Sequence, residues 1–138
     1  MAVQRVTRNP DYRDLDLDFI KHPATKDVVK KTGVDAIRRS IRNLVLTNFY
    51  DRPFRPALGS SAQQILFDNI NQFSAIFLQN AIAEVINNFE PRVRLIDGPN
   101  GVVVNVDPDN DGYNATISFV IINTSTPATI NIFLERLR

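Results

Sequence analysis

Cysteine and tryptophan are missing from the 138 residues, histidine and methionine occur once each, and there are three glutamates. Without cysteine there is neither a disulfide framework nor a thiol nucleophile, so the chain suits a reducing compartment. His22 stands beside Pro23 in a basic stretch with no companion ligands, and it reads as an exposed, inert side chain. Hydrophobic residues make up 43% of the chain, yet no run approaches the ~20 apolar residues of a membrane span. The opening Met1-Ala2-Val3-Gln4-Arg5-Val6 has no apolar signal core. Glycine-rich phosphate loops, nucleophile elbows and metal-helix motifs are also missing. The expectation is a soluble protein that needs no metal, cofactor or membrane.

The scarcity of glutamate bears on sugar-polymer hydrolysis, which needs two facing carboxyls about 5–9.5 Å apart. Glu84 and Glu90 are six residues apart, about 120° out of register on a helix, so they point to different sides. Loop aspartates could supply a partner, which leaves a glycosidase as the secondary reading. Asp107-x-Asp109-x-Asp111-Gly112 matches the first half of a calcium loop. Its twelfth position is Ser118 rather than glutamate, and strands flank it, so a polar hairpin is the better account.

Charge is unevenly divided. Residues 1–58 hold 12 Lys and Arg against 7 Asp and Glu, and residues 59–138 hold 4 against 8, so a basic half precedes an acidic one. A polarised small protein can stack head to tail or meet two differently charged neighbours. The aromatic interleaving and zinc spacing of nucleic-acid binders are missing from the basic half, so no nucleic-acid partner is expected.

The predicted fold is α+β, in a single domain large enough to bury about two thirds of its unfolded surface. Residues 1–33 read as an extended N-terminal arm, within which Leu15, Leu17 and Phe19 alternate with Asp14, Asp16 and Asp18 as in a strand with one wet face. Residues 34–138 form the domain proper. A first helix runs from Val34 or Asp35 to Thr47, with Val34, Ile37, Ile41, Leu44 and Val45 inward and Arg38, Arg39 and Arg42 on another side. The prolines of Asp51-Arg52-Pro53-Phe54-Arg55-Pro56-Ala57-Leu58-Gly59 impose a stiff loop, with Phe54 and Leu58 expected in the core and Arg52 and Arg55 outside. Ser61 and Gln64 form a capping-box pattern for a short helix.

The central element spans Phe73 to Phe89, where Phe73, Phe77, Ala81, Val85 and Phe89 recur every four residues and Ala75-Ile76-Phe77-Leu78 implies burial. It breaks at Pro91 into a strand, leaving Glu90 at the partly negative carbonyl end of a helix, where glutamate is out of place. Either Arg92 or Arg94 folds back to pair with it, or Glu90 awaits a partner. Four strands follow, around Val93–Leu95, Val102–Val106, Ala115–Ile121 and Ile130–Leu134, expected as hairpin-joined strands of a C-terminal antiparallel sheet covered by the two main helices and the short one.

Ile37-Arg38-Arg39-Ser40-Ile41-Arg42-Asn43-Leu44-Val45-Leu46-Thr47, then the loop Arg52 to Gly59, Leu66-Phe67, and Asn88-Phe89-Glu90-Pro91-Arg92-Val93 together resemble the small baseplate wedge proteins of contractile phage tails. This lysozyme-like, sheath-initiator family includes the type VI secretion baseplate component. The ordered set covers about residues 34–138, the arm looks like the T-even branch, and Leu58 departs from the family's usual Phe. The resemblance implies a non-enzymatic structural protein of the virion tail baseplate, assembled in the bacterial host cytoplasm and present as a ring of copies around the tail tube. It implies wedge-core contact through Glu90, Pro91 and Arg92, with Arg52, Pro53, Phe54 and Arg55 beside them. It also implies assembly of the first tail-sheath ring by strand addition, for which the strand bearing Thr129, Asn131, Phe133 and Glu135 is the candidate. Further neighbours would be baseplate hub or tube proteins. The alternatives are a tail-associated peptidoglycan-cleaving lysozyme, a type VI-like secretion component, or a free regulatory binding module.

Overall fold

The computed structural model describes residues 12–16 and 18–138. The first helix, α1, spans Gly33–Leu46 and buries Ala36, Ile37, Ile41, Leu44 and Val45, the expected stripe with Val34 half-buried beside it. Gly33 starts it with φ +59°, a left-handed conformation that costs glycine little and turns the preceding chain sharply into the helix.

That preceding chain is not simply extended. Strand β1 (Arg13–Leu15) pairs antiparallel with β2 (Lys30–Thr32), so the part of the arm that is described doubles back on itself as a hairpin against α1. The expected alternation is inverted there: Leu15 and Phe19 are exposed, whereas Asp16 is buried, and Leu17 lies outside the described residues. The side of α1 facing the hairpin is basic. Asp16 therefore turns inward between Lys31 Nζ at 3.8 Å and Arg39 Nη2 at 3.7 Å, and Arg39 also reaches Asp18 at 2.9 Å.

After the loop comes the short helix α2 (Ala62–Leu66). Ser61 makes no side-chain cap. Ser60 does that work instead, its Oγ accepting from the Ala62 N–H at 3.3 Å while donating to the Val45 carbonyl at 2.7 Å. Helix α3 spans Gln72–Phe89, and the Asn71 side chain accepts from the Ser74 N–H at 2.7 Å to start it.

α3 contains two competing apolar stripes. Ala75, Leu78, Ile82, Val85 and Ile86 face inward, while Phe73 and Phe77, about 130–170° around the helix from the middle of that stripe, are 76% and 65% exposed, and Ile76 is 52% exposed. The expected burial of the aromatic stripe is therefore wrong. The sheet offers one surface, and the aliphatic stripe takes it.

The sheet is built around β5 (Gly112–Ile121). Along one side of it lie β3 (Val93–Leu95) and β4 (Val102–Asp107), both antiparallel to β5, and β6 (Thr126–Glu135) lies along the other. β3 and β4 do not form the expected hairpin with each other. Val93–Leu95 pair with Ile121–Phe119, and Val102–Asp107 with Ile117–Gly112, so the two are one interrupted edge from which Ile96 to Gly101 bulge out. Gly101 closes the bulge so tightly that a Cβ there would lie 2.4 Å from the Ile96 carbonyl oxygen and 3.0 Å from that of Ser118. Since both obstacles are backbone, Gly101→Ala is expected to destabilise the domain by at least ~1–2 kcal/mol, measured by urea denaturation.

The other turn, from Asp107 to Gly112, is the polar hairpin expected. Asp107 accepts from Asn110 Nδ2 at 2.9 Å and Asn114 Nδ2 at 3.0 Å, and the Asn110 bond is the main reason its carboxyl sits below the usual range. Tyr113, Ala115, Ile117, Phe119 and Ile121 of β5 are buried in the core, joined by Ala128, Ile132 and Leu134 of β6.

Candidate functional site

Glu90 ends α3, its N–H donating to the Ile86 carbonyl at 3.0 Å, with φ −119° and ψ 80° already outside the helical region. Pro91 has no N–H to continue the ladder, and the chain turns at once into β3. Of the two alternatives the sequence left open, Arg92 folds back. Its Nε lies 2.5 Å from Glu90 Oε1 and its Nη2 2.7 Å from Oε2, a bidentate pair, while Arg94 is exposed. Ser40, fifty residues earlier on α1, donates to Glu90 Oε2 at 2.6 Å. The glutamate is 3% exposed.

Burial alone pushes the Glu90 carboxyl up. The hydrogen bonds from Arg92 and Ser40, with the guanidinium's charge, outweigh burial and hold it below the ordinary glutamate range. The same pairing raises Arg92. Above the guanidinium lies the Tyr12 ring, with 5.2 Å from Arg92 Cζ to the ring centroid, and the Tyr12 hydroxyl accepts from Asn123 Nδ2 at 2.6 Å. The N-terminal hairpin is thereby tied to the corner. Neither role was identifiable from the sequence, although Ser40 lies within the Ile37–Thr47 motif, because each side chain acts on a residue remote in the chain.

Pro91 is exposed at the apex of this corner. The other predicted contact segment is nearby: Arg52, Arg55 and Leu58 line a groove of about 380 Å³ together with Ser40 and Phe89. Glu90 and the loop therefore flank one surface, joined through Ser40. Pro53 and Phe54 are exposed, Phe54 at 97%, so the expectation that it plugs the core fails; Leu58 alone packs there. Two short turns and one loop-closing bond explain this. Arg55 N–H donates to the Arg52 carbonyl, Leu58 N–H to Arg55, and Tyr50 N–H to Pro56, which curls the loop tightly and leaves its tip outside. Thr129, Asn131, Phe133 and Glu135 are all exposed on the outer face of β6, away from the corner. Among the described residues, no three His, Cys, Asp or Glu side chains gather as metal ligands, and no helix is long and apolar enough to cross a membrane.

The sequence profile of the family described as baseplate wedge protein gp25 matches residues 31–125. The chain belongs to that family. A baseplate wedge family is what the ordered motifs resembled. The baseplate wedge protein gp25 of Enterobacteria phage T4 is 29% identical over 109 residues, covering 79% of this chain and 77% of the phage protein. The gp25-type fold recurs in the crystal structure of a protein from Geobacter sulfurreducens described as a tail lysozyme. That likeness has a TM-score of 0.66 at 21% identity over 74% of this chain and 89% of the other. It recurs again in the sixfold-symmetrised cryo-EM structure of the anti-feeding prophage baseplate, with a TM-score of 0.60 at 22% identity over 93% of this chain and 88% of that one.

Proposed function

We propose that the protein is a non-enzymatic wedge component of a contractile-tail baseplate, which docks on the wedge core through the Glu90-Pro91-Arg92 corner and starts the first sheath ring through the open edge of β6. The observation that carries this reading is the edge itself. β6 offers ten residues paired with β5, and none of the described residues pairs with its other side, the side on which a strand could add. Pro127 near its start fits an edge position, where a missing N–H breaks no second ladder.

At the corner, Glu90 works inward. Its carboxylate holds Arg92 and so sets the angle at which Pro91 is presented, with Arg52 and Arg55 supplying positive charge beside it. Family membership supports baseplate neighbours and a virion location. The anti-feeding prophage structure, with its sixfold symmetry, supports a ring of copies around the tube.

The lysozyme reading draws on the name of the Geobacter protein. A general acid needs a carboxyl whose affinity for protons is raised, and here Glu90 is held ionised and Glu84 is exposed.

Hydrogen exchange of the full chain tests the proposal directly. Adding sheath subunits is expected to protect the β6 amides selectively. Pro91→Gly with Arg55→Glu, both at exposed positions, is expected to abolish co-purification with the wedge core while leaving the far-UV circular dichroism unchanged. Unaltered β6 exchange with bound sheath overturns the strand-addition reading, and intact wedge assembly by the double variant overturns the docking surface. Peptidoglycan cleavage that disappears in Glu84→Gln overturns the non-enzymatic reading.

A further inference from the structure

The chemistry around the open edge of β6 indicates what kind of strand it takes. On its core-facing side β6 carries Ala128, Ile130, Ile132 and Leu134. Beneath the middle of that row, α1 extends toward the margin of the sheet. Ile130 lines a groove of about 320 Å³ whose other walls are Lys31, Asp35, Arg38, Arg39 and Arg42. Four cations and one carboxylate thus surround the space into which the inward side chains of an added strand would project.

Internal pairing consumes only part of this charge. Lys31 and Arg39 are turned toward Asp16 and Asp18, and Arg38 reaches Asp35 only at 3.5 Å between two well-exposed groups. Arg42 is exposed and has no carboxylate within ion-pair distance among the described residues. Arg38 Nε is buried and without a hydrogen-bond partner.

We infer that the segment added to β6 is acidic on its inward face, with Asp or Glu at alternate positions reaching Arg38 and Arg42 while its backbone extends the ladder. This rests on the strand-addition reading and deepens it. Main-chain bonds give affinity for any extended segment, and the basic groove selects sequence and register, since a one-residue slip would turn every carboxylate to the solvent side. A strand with lysines at those positions would meet like charge.

The test uses the full chain and three fluorescein-labelled decapeptides, read by anisotropy. One alternates Glu with Val and Thr, one has Lys in place of each Glu, and one keeps every Glu but has two central prolines, which remove ladder donors without changing charge. The intact Glu peptide is expected to bind about tenfold or more tightly than the Lys peptide, with a preference that shrinks at high salt. The proline peptide is expected not to bind, and Arg42→Glu is expected to erase most of the preference.

Equal binding of the Glu and Lys peptides overturns the acidic assignment and leaves strand addition standing. Equal binding of the intact and proline-broken Glu peptides overturns pairing with β6, leaving a simple anion groove. Failure of all three to bind overturns both.

Discussion

Arg92→Ala is expected to lower the stability of the isolated domain by about 2–3 kcal/mol, and to reverse the way stability depends on pH. Removing one partner of a buried ion pair leaves the other charge without compensation, typically at about 3–5 kcal/mol. The lower figure applies because the Arg92 side chain is 27% exposed and the Ser40 bond to Glu90 survives. In the native protein the folded Glu90 carboxyl lies below its ordinary 4.5. The folded state therefore binds fewer protons than the unfolded chain in that window. Its contribution is fully present above pH 4.5 and is lost as the pH falls through the depressed folded value.

Without the guanidinium, burial becomes the dominant influence on the carboxyl and raises it. Folding then takes up a proton, so the variant should gain stability on acidification, where the native protein loses it. Urea denaturation of both proteins from pH 3.5 to 7 measures the two slopes. A native-like pH profile in the variant would show that the Glu90–Arg92 pair does not govern the corner. It follows that Arg92→Ala cannot by itself separate docking from folding, which is why the exposed Pro91 and Arg55 are the positions to alter for that purpose.

Phe119→Ala should be costlier still, at about 3–5 kcal/mol, a large fraction of the ~5–15 kcal/mol that ordinarily holds a domain folded. Phe119 is fully buried at the point of β5 where both neighbouring strands are engaged, opposite Leu95 on β3 and Ala128 on β6. Neither of those residues is large enough to fill the space a ring leaves. Removing it also loosens β5 where the β3–β4 edge is interrupted, which links the sheet to the corner beyond Val93. Thermal denaturation by circular dichroism checks the size of the effect. Phe77→Ala on the exposed side of α3 is the internal control, expected within about 0.5 kcal/mol of the native protein.

Much of this architecture is legible in order along the chain. The inward residues of α1 and the switch from a helical period to alternation at Pro91 are local patterns that the fold obeys. So are the polar turn from Asp107 to Gly112 and the alternating faces of β5 and β6. The family motifs identified the chain's relatives, whose shared fold the corner and sheet then display.

The misreadings of burial share one feature, which is that each concerns a choice among surfaces. Phe73, Phe77 and Phe54 are as apolar as the residues that did become buried, but α3 has one sheet to cover and the proline loop curls away before its tip reaches the core. Asp16 sits in a pattern that puts aspartates in water, and the arginine side of α1 draws it inside. Glu90 breaks a helix-end preference that Ser40 and Arg92 repair from across the domain and from two residues on. Periodicity and turn chemistry act between neighbours in the chain, so order along the chain suffices to specify helices, strands and their faces. Burial and ionisation depend on which remote group arrives opposite, and only the folded arrangement of α1, the N-terminal hairpin and the sheet settles that.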